Sequence, residues 1–109
     1  MPKVKYDLRY LPLFYEELER DVSYIAFKLK NPDAANDLLD CVESAIMKRL
    51  KDGPESFELV YSRKSRKYPY YRIYVKNYII YYVVLEEHGR KIMEVRRFMH
   101  SLEDRDNKI

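Results

Sequence analysis

The chain has 109 residues, 47% of them hydrophobic, and only two glycines, which fits one folded domain (1–109) with a modest core and excludes a disordered tail. Its net charge of +3 is unevenly placed: residues 1–52 carry nine Lys/Arg against ten Asp/Glu, residues 53–109 twelve against eight. The lone Cys41 cannot build a disulfide framework and predicts a buried structural thiol in a reducing compartment, the cytosol. No run after Met1 is apolar enough for a signal peptide or a membrane span.

Residues 3–9, "KVKYDLR", alternate apolar and polar and predict a short first strand. Pro12 sits where a helix can start, since its missing N–H is not needed there. From there Leu11, Phe14, Leu18, Val22, Ile25 and Leu29 form one apolar stripe, with Glu16, Glu17, Glu19, Arg20 and Asp21 on the wet side. Asn31 can cap a second helix and Pro32 take its first turn. That helix runs to about Lys51 on a stripe of Ala35, Leu38, Leu39, Val42, Ala45, Ile46 and Leu50, and "DGP" (52–54) stops it.

Beyond Gly53 the period changes. A loop follows, with a short extended piece around 58–61. Then Tyr71, Ile73 and Val75 alternate with Arg72, Tyr74 and Lys76, the pattern of a half-buried strand. Lys76-Asn77 is the expected turn, because Asn tolerates a left-handed backbone. "YIIYYVVL" (78–85) reads as a central strand, "EEHG" (86–89) as a tight turn, "KIMEVRRFM" (91–99) as the last strand, and 100–109 as a polar tail. The predicted fold is α+β in the order β-αα-βββ: a helical hairpin on one face of a small, mainly antiparallel sheet, with the first strand added at an edge.

Candidate chemistry is narrow. Two glycines cannot make a phosphate loop, and two separated histidines with one cysteine make no recognisable zinc site, so neither cofactor nor metal is expected. Between Leu59 and Leu85 stand six cations (Arg63, Lys64, Arg66, Lys67, Arg72, Lys76) and no carboxylate, a local positive field suited to a phosphate backbone or an acidic partner, or a solvated basic loop. If the helices cover Tyr71, Ile73 and Val75, a row of Arg72, Tyr74 and Lys76 is left open. Its cations could meet phosphates and its ring could stack on a base of single-stranded RNA, or the row is a solvated strand face. Arg96 and Arg97, with His100 three residues on, could stabilise a phosphorane and move a proton, or simply bind carboxylates. Adjacent strand residues point to opposite faces, so only one arginine shares the surroundings of His100 unless the strand bends. Tyr78, Tyr81 and Tyr82 read as packing residues with hydroxyls at the rim.

Three stretches carry a resemblance across nearly the whole chain: "AIMKRLKDGPESF", "YYRIYVKNYIIYYVV" and "IMEVRRFMHSLEDR". Together with the element order they resemble the RelE/ParE superfamily of bacterial type II toxin–antitoxin toxins. The resemblance implies a growth-inhibiting protein neutralised by a small acidic, partly disordered antitoxin encoded next door. Its RelE-like branch enters the ribosome and cleaves mRNA; its ParE-like branch inhibits DNA gyrase. On the RelE-like reading, which is the first expectation, the chain is a metal-independent, ribosome-dependent mRNA endonuclease. Arg97, His100 and Arg72 would be catalytic, and Tyr74, Lys76, Arg96, Arg63, Lys64, Arg66 and Lys67 would bind RNA. The alternatives are a gyrase inhibitor without nuclease activity and an inactive relic or binding module. Two departures weaken the nuclease expectation: Ile79 stands where RNA-cleaving members keep an arginine, and no tyrosine follows His100. The stretches "YIIYY" and "RRFMH" resemble the ParE-like branch more closely.

Overall fold

The computed structural model describes residues 5–60 and 68–103. Strand β1 (Tyr6–Tyr10) leads into helix α1 (Pro12–Ser23), a π-helical turn (Tyr24–Lys28) and helix α2 (Pro32–Asp52). A 3-10 turn (Pro54–Ser56) follows, and then strands β2 (Tyr71–Val75), β3 (Tyr78–Glu87) and β4 (Arg90–His100). The sheet order is β1-β4-β3-β2; β1 runs parallel to β4 and the other pairs are antiparallel, so the first strand is the expected added edge. The extended piece before β2 is a single bridge, Leu59 to Tyr71.

The helix boundaries follow local chemistry. Leu11 is extended and Pro12 opens α1; the Asn31 side chain accepts the Ala34 N–H at 3.1 Å and Pro32 opens α2. That cap satisfies one of the orphan donors of the first turn. Asn31→Ala is expected to cost about 1 kcal/mol, read as a lower midpoint in urea at unchanged slope; an unchanged midpoint would show the cap to be idle. Gly53, at φ 101°, ends α2 in a conformation that a side chain would strain.

On one face of the sheet Phe14, Leu38, Val42 and Ile46 from the helices pack on Tyr71, Ile73, Val75, Ile80, Tyr82, Met93, Val95 and Phe98. The first helix departs from its stripe at the end. After Ser23 the backbone widens into the π turn, closed by Leu29 N–H to Tyr24 O at 3.0 Å, and Leu29 is 56% exposed instead of facing the core. A buried leucine contributes about 1.5–3 kcal/mol, and the chain forgoes it here. Glu17, expected on the wet side, is buried, and Leu39 is turned outward.

The opposite face is not open. Ile79, Tyr81, Val83, Leu85, Ile92 and Met99 form a second buried cluster with Tyr70, against which Val60 and Tyr68 pack. Strand β3 is therefore buried on both sides, which explains why "YIIYYVVL" shows no alternation. Tyr81 and Tyr82 lie in the interior and not at a rim. The Tyr82 hydroxyl donates to Pro54 O at 2.7 Å and accepts from Arg49 at 2.9 Å. Burial pushes its pKa up to about 12, against the opposing pull of the Arg49 hydrogen bond and charge. Cys41 is half-buried beside the first cluster.

Candidate functional site

Arg72 and Tyr74 lie across from Tyr81 and Ile79, on the face away from the helices. The Arg72 guanidinium is 5.7 Å from the Tyr74 ring centroid, and that ring is 67% exposed. Beside them, Arg49, Phe57, Glu58 and Leu59 complete a cleft of about 210 Å³ at the β2 edge. Arg49 comes from the last turn of α2, where a cation suits the helix dipole. It donates to Arg72 O at 3.2 Å and lies 3.5 Å over the Phe57 ring. Nothing in the sequence marks Arg49 for this cleft, because a contact across 23 residues leaves no trace in periodicity.

Lys76 does not continue the row of Arg72 and Tyr74. Strand β2 ends at Val75, and Lys76 itself, not Asn77, takes the left-handed conformation of the turn at φ 53°. Its Nζ reaches Asp37 of α2 at 2.7 Å, and this hydrogen bond and charge raise the Lys76 pKa. The expected three-residue face is thus two residues wide. Arg63, Lys64, Arg66 and Lys67 lie outside the described residues.

At the end of β4 the strand does bend. The pairing with β3 slips by one residue between Tyr81 and Tyr82, where Tyr82 faces Val95 and Tyr81 faces Arg97. Arg97 donates through Nε and Nη2 to the two oxygens of Glu17 in α1, both at 2.9 Å. The same carboxylate accepts the buried Phe98 N–H at 3.1 Å. This is where β1 has stopped pairing: its last partner on β4 is Val95. Glu17 therefore takes over an edge that the strand has left.

Arg96 meets another carboxylate. Glu94, 4% exposed, is held between Arg96 at 2.7 Å and Arg9 of β1 at 2.8 Å, and Arg9 also reaches Glu87 at 2.9 Å. Burial pushes the Glu94 carboxyl up, but the hydrogen bonds and charges of Arg96 and Arg9 outweigh it and hold the group below the usual range. His100 sits three residues past Arg97, paired with Tyr78; it meets the Tyr78 ring edge-on at 5.2 Å and accepts the Leu102 N–H on Nδ1 at 3.1 Å. Arg72, Tyr81 and Arg97 share one cross-strand row, yet Arg97 turns to α1 and His100 to Tyr78. Ile79 is 3% exposed in the second cluster, with no cation in its place.

A second cleft, about 460 Å³, runs between α1 and α2, with Tyr15, Leu18, Leu39 and Met47 among its walls. Among the described residues no group of His, Cys, Asp and Glu converges as a metal site would, and no helix is long and apolar enough to cross a membrane.

A helical hairpin laid on one face of this four-stranded mixed sheet is the architecture of the RelE/ParE-like toxins. Over residues 8–105 the chain matches the family described as ParE toxin of type II toxin-antitoxin system, parDE, and it belongs to that family. It is thus a toxin-antitoxin toxin, and its family implies a cognate antitoxin as partner. No curated protein matches the chain.

Proposed function

We propose that this toxin arrests growth by binding DNA gyrase and carries no nuclease chemistry of its own. The observation that supports this reading best is the bidentate pair of Arg97 with Glu17. Arg97 is the residue that the nuclease reading needs to steady a cleaved phosphate. To do so it would have to leave a carboxylate that also holds the Phe98 N–H, and a part-buried, bidentate pair of this kind is costly to break. Arg96 is likewise held by the buried Glu94, whereas Lys76 meets Asp37 only in an exposed ion pair that costs little to open. Membership of the ParE family supports the same side of the superfamily.

One observation favours the nuclease reading: Arg72 and the exposed Tyr74 beside the β2-edge cleft offer a cation and a ring to a base and its phosphate. The two readings separate cleanly. Purified toxin is expected to inhibit supercoiling by a bacterial gyrase holoenzyme, with His100→Ala as potent as wild type, and to leave message intact in cell-free translation. New 5′ ends on translated message alone, lost in Arg72→Ala, would reverse the choice. For the antitoxin, the cleft between α1 and α2 is suited to an amphipathic segment that orders on binding and lays its apolar side against Tyr15, Leu18, Leu39 and Met47.

A further inference from the structure

The tip of the helical hairpin presents Tyr24 (54% exposed), Phe27 (80%) and Leu29 (56%) within six residues. Single exposed apolar side chains are ordinary; three together at a π turn are not. An α-helical continuation would place Leu29 on the stripe of Leu18, Val22 and Ile25. The π turn carries it outward instead, and π turns are frequent at functional sites. The tip is nonetheless fixed in place. Ile25 packs on the first core cluster, the Asn31 N–H donates to Ile25 O at 3.1 Å, and Asn31 caps α2.

Charge adds to the pattern. Between Val22 and Pro32 the only ionisable side chains besides Tyr24 are Lys28 and Lys30, both exposed. Neither forms an ion pair among the described residues. Lys30 holds φ 53°, a left-handed conformation in which glycine would be unstrained.

We propose that this tip is the surface by which the toxin grips its protein target: Phe27, flanked by Tyr24 and Leu29, enters an apolar notch whose rim carries Asp or Glu opposite Lys28 and Lys30. The proposal rests on the gyrase reading above for the identity of the target. An aromatic, cation-flanked knob on an anchored backbone fits such a notch because little backbone freedom is lost on docking. An aromatic ring has only two torsions to order, and aromatic anchors dominate interface energetics.

The experiment is a dose series of gyrase supercoiling with wild type, Phe27→Ser and the pair Lys28→Glu with Lys30→Glu, alongside growth on induction, thermal melting and light scattering. Phe27 is too exposed for its loss to unfold the chain, so an unchanged melt is expected. Phe27→Ser should need about tenfold or more protein for half-inhibition and should no longer arrest growth. The charge reversal should weaken inhibition by an amount that shrinks as salt rises. Inhibition and arrest by Phe27→Ser at wild-type doses would overturn the proposal. If wild type itself leaves gyrase untouched, the gyrase reading falls. Growth then decides the tip: arrest lost with Phe27→Ser keeps it as the grip on another target, and arrest retained removes it. A wild-type dimer that Phe27→Ser abolishes would overturn it in favour of a second copy. Retention on phosphatidylglycerol vesicles, lost with Phe27→Ser, would overturn it in favour of a lipid surface.

Discussion

Glu94→Ala is expected to destabilise the fold by about 3 kcal/mol, because it removes the buried carboxylate shared by two guanidiniums and leaves Arg9 only Glu87. Arg9 and Arg96 are partly exposed, so water can replace some of what they lose; this keeps the cost at the lower end for a broken buried pair. The same site makes a pH prediction. The folded Glu94 carboxyl titrates below its unfolded value. Its contribution is therefore complete above the unfolded pKa, near pH 4–5, and is lost as pH falls through the folded pKa. Asp7 and Glu55 are also held low, chiefly by hydrogen bonds from Arg90 and Lys91. Acid destabilisation of the wild type is thus shared, and the readout is a difference. Urea midpoints from pH 7 down to pH 3 should fall less steeply in Glu94→Gln than in wild type. Parallel slopes would show that the two arginines do not hold Glu94 in its charged form.

How much of this was legible follows from what each interaction spans. The helical hairpin was, because its stripe and its Asn31-Pro32 start are local, and so was the order of strands around the Lys76-Asn77 turn. The π turn was not: Leu29 obeys the α-helical period in sequence and leaves it only in three dimensions. The second core cluster did leave a signal, since β3 is apolar on both alternations; a strand with one open face would not be. Arg72 and Tyr74 on the neighbouring strand obscure that signal, because they have the look of a wet face. At the candidate site, residue types were readable and their partners were not. Glu17 lies 80 residues from Arg97, and Asp37 lies on a different element from Lys76. An arginine that serves a phosphate and one that serves a carboxylate look alike in a sequence, since the guanidinium fork suits both.

Glu17→Ala tests that ambiguity and carries the other large expected effect. In one step it removes both acceptors of Arg97 and the acceptor of the Phe98 N–H, at a point where β1 no longer supplies one. Phe98 is fully buried, so its N–H loses its acceptor in the interior of the fold. A buried donor left without its partner costs about 1–3 kcal/mol, and a part-buried charge left without its carboxylate adds to that; the expected loss is about 3–4 kcal/mol. Glu17→Gln keeps one oxygen for Phe98 and should lose about half as much. Combining Glu17→Ala with Arg97→Met should recover part of the loss, because the guanidinium is gone. An unfolding free energy for Glu17→Ala, from urea titration, within about 1 kcal/mol of wild type would show that the pair is incidental. The functional arm follows from the same contact. Below its melting temperature, Glu17→Ala releases Arg97 from this carboxylate. If the toxin acts by contact through the hairpin tip, gyrase inhibition should be unchanged. If Arg97 instead serves a phosphate, message cleavage should rise in Glu17→Ala and vanish in the double variant, because the carboxylate competes with the substrate for the same guanidinium.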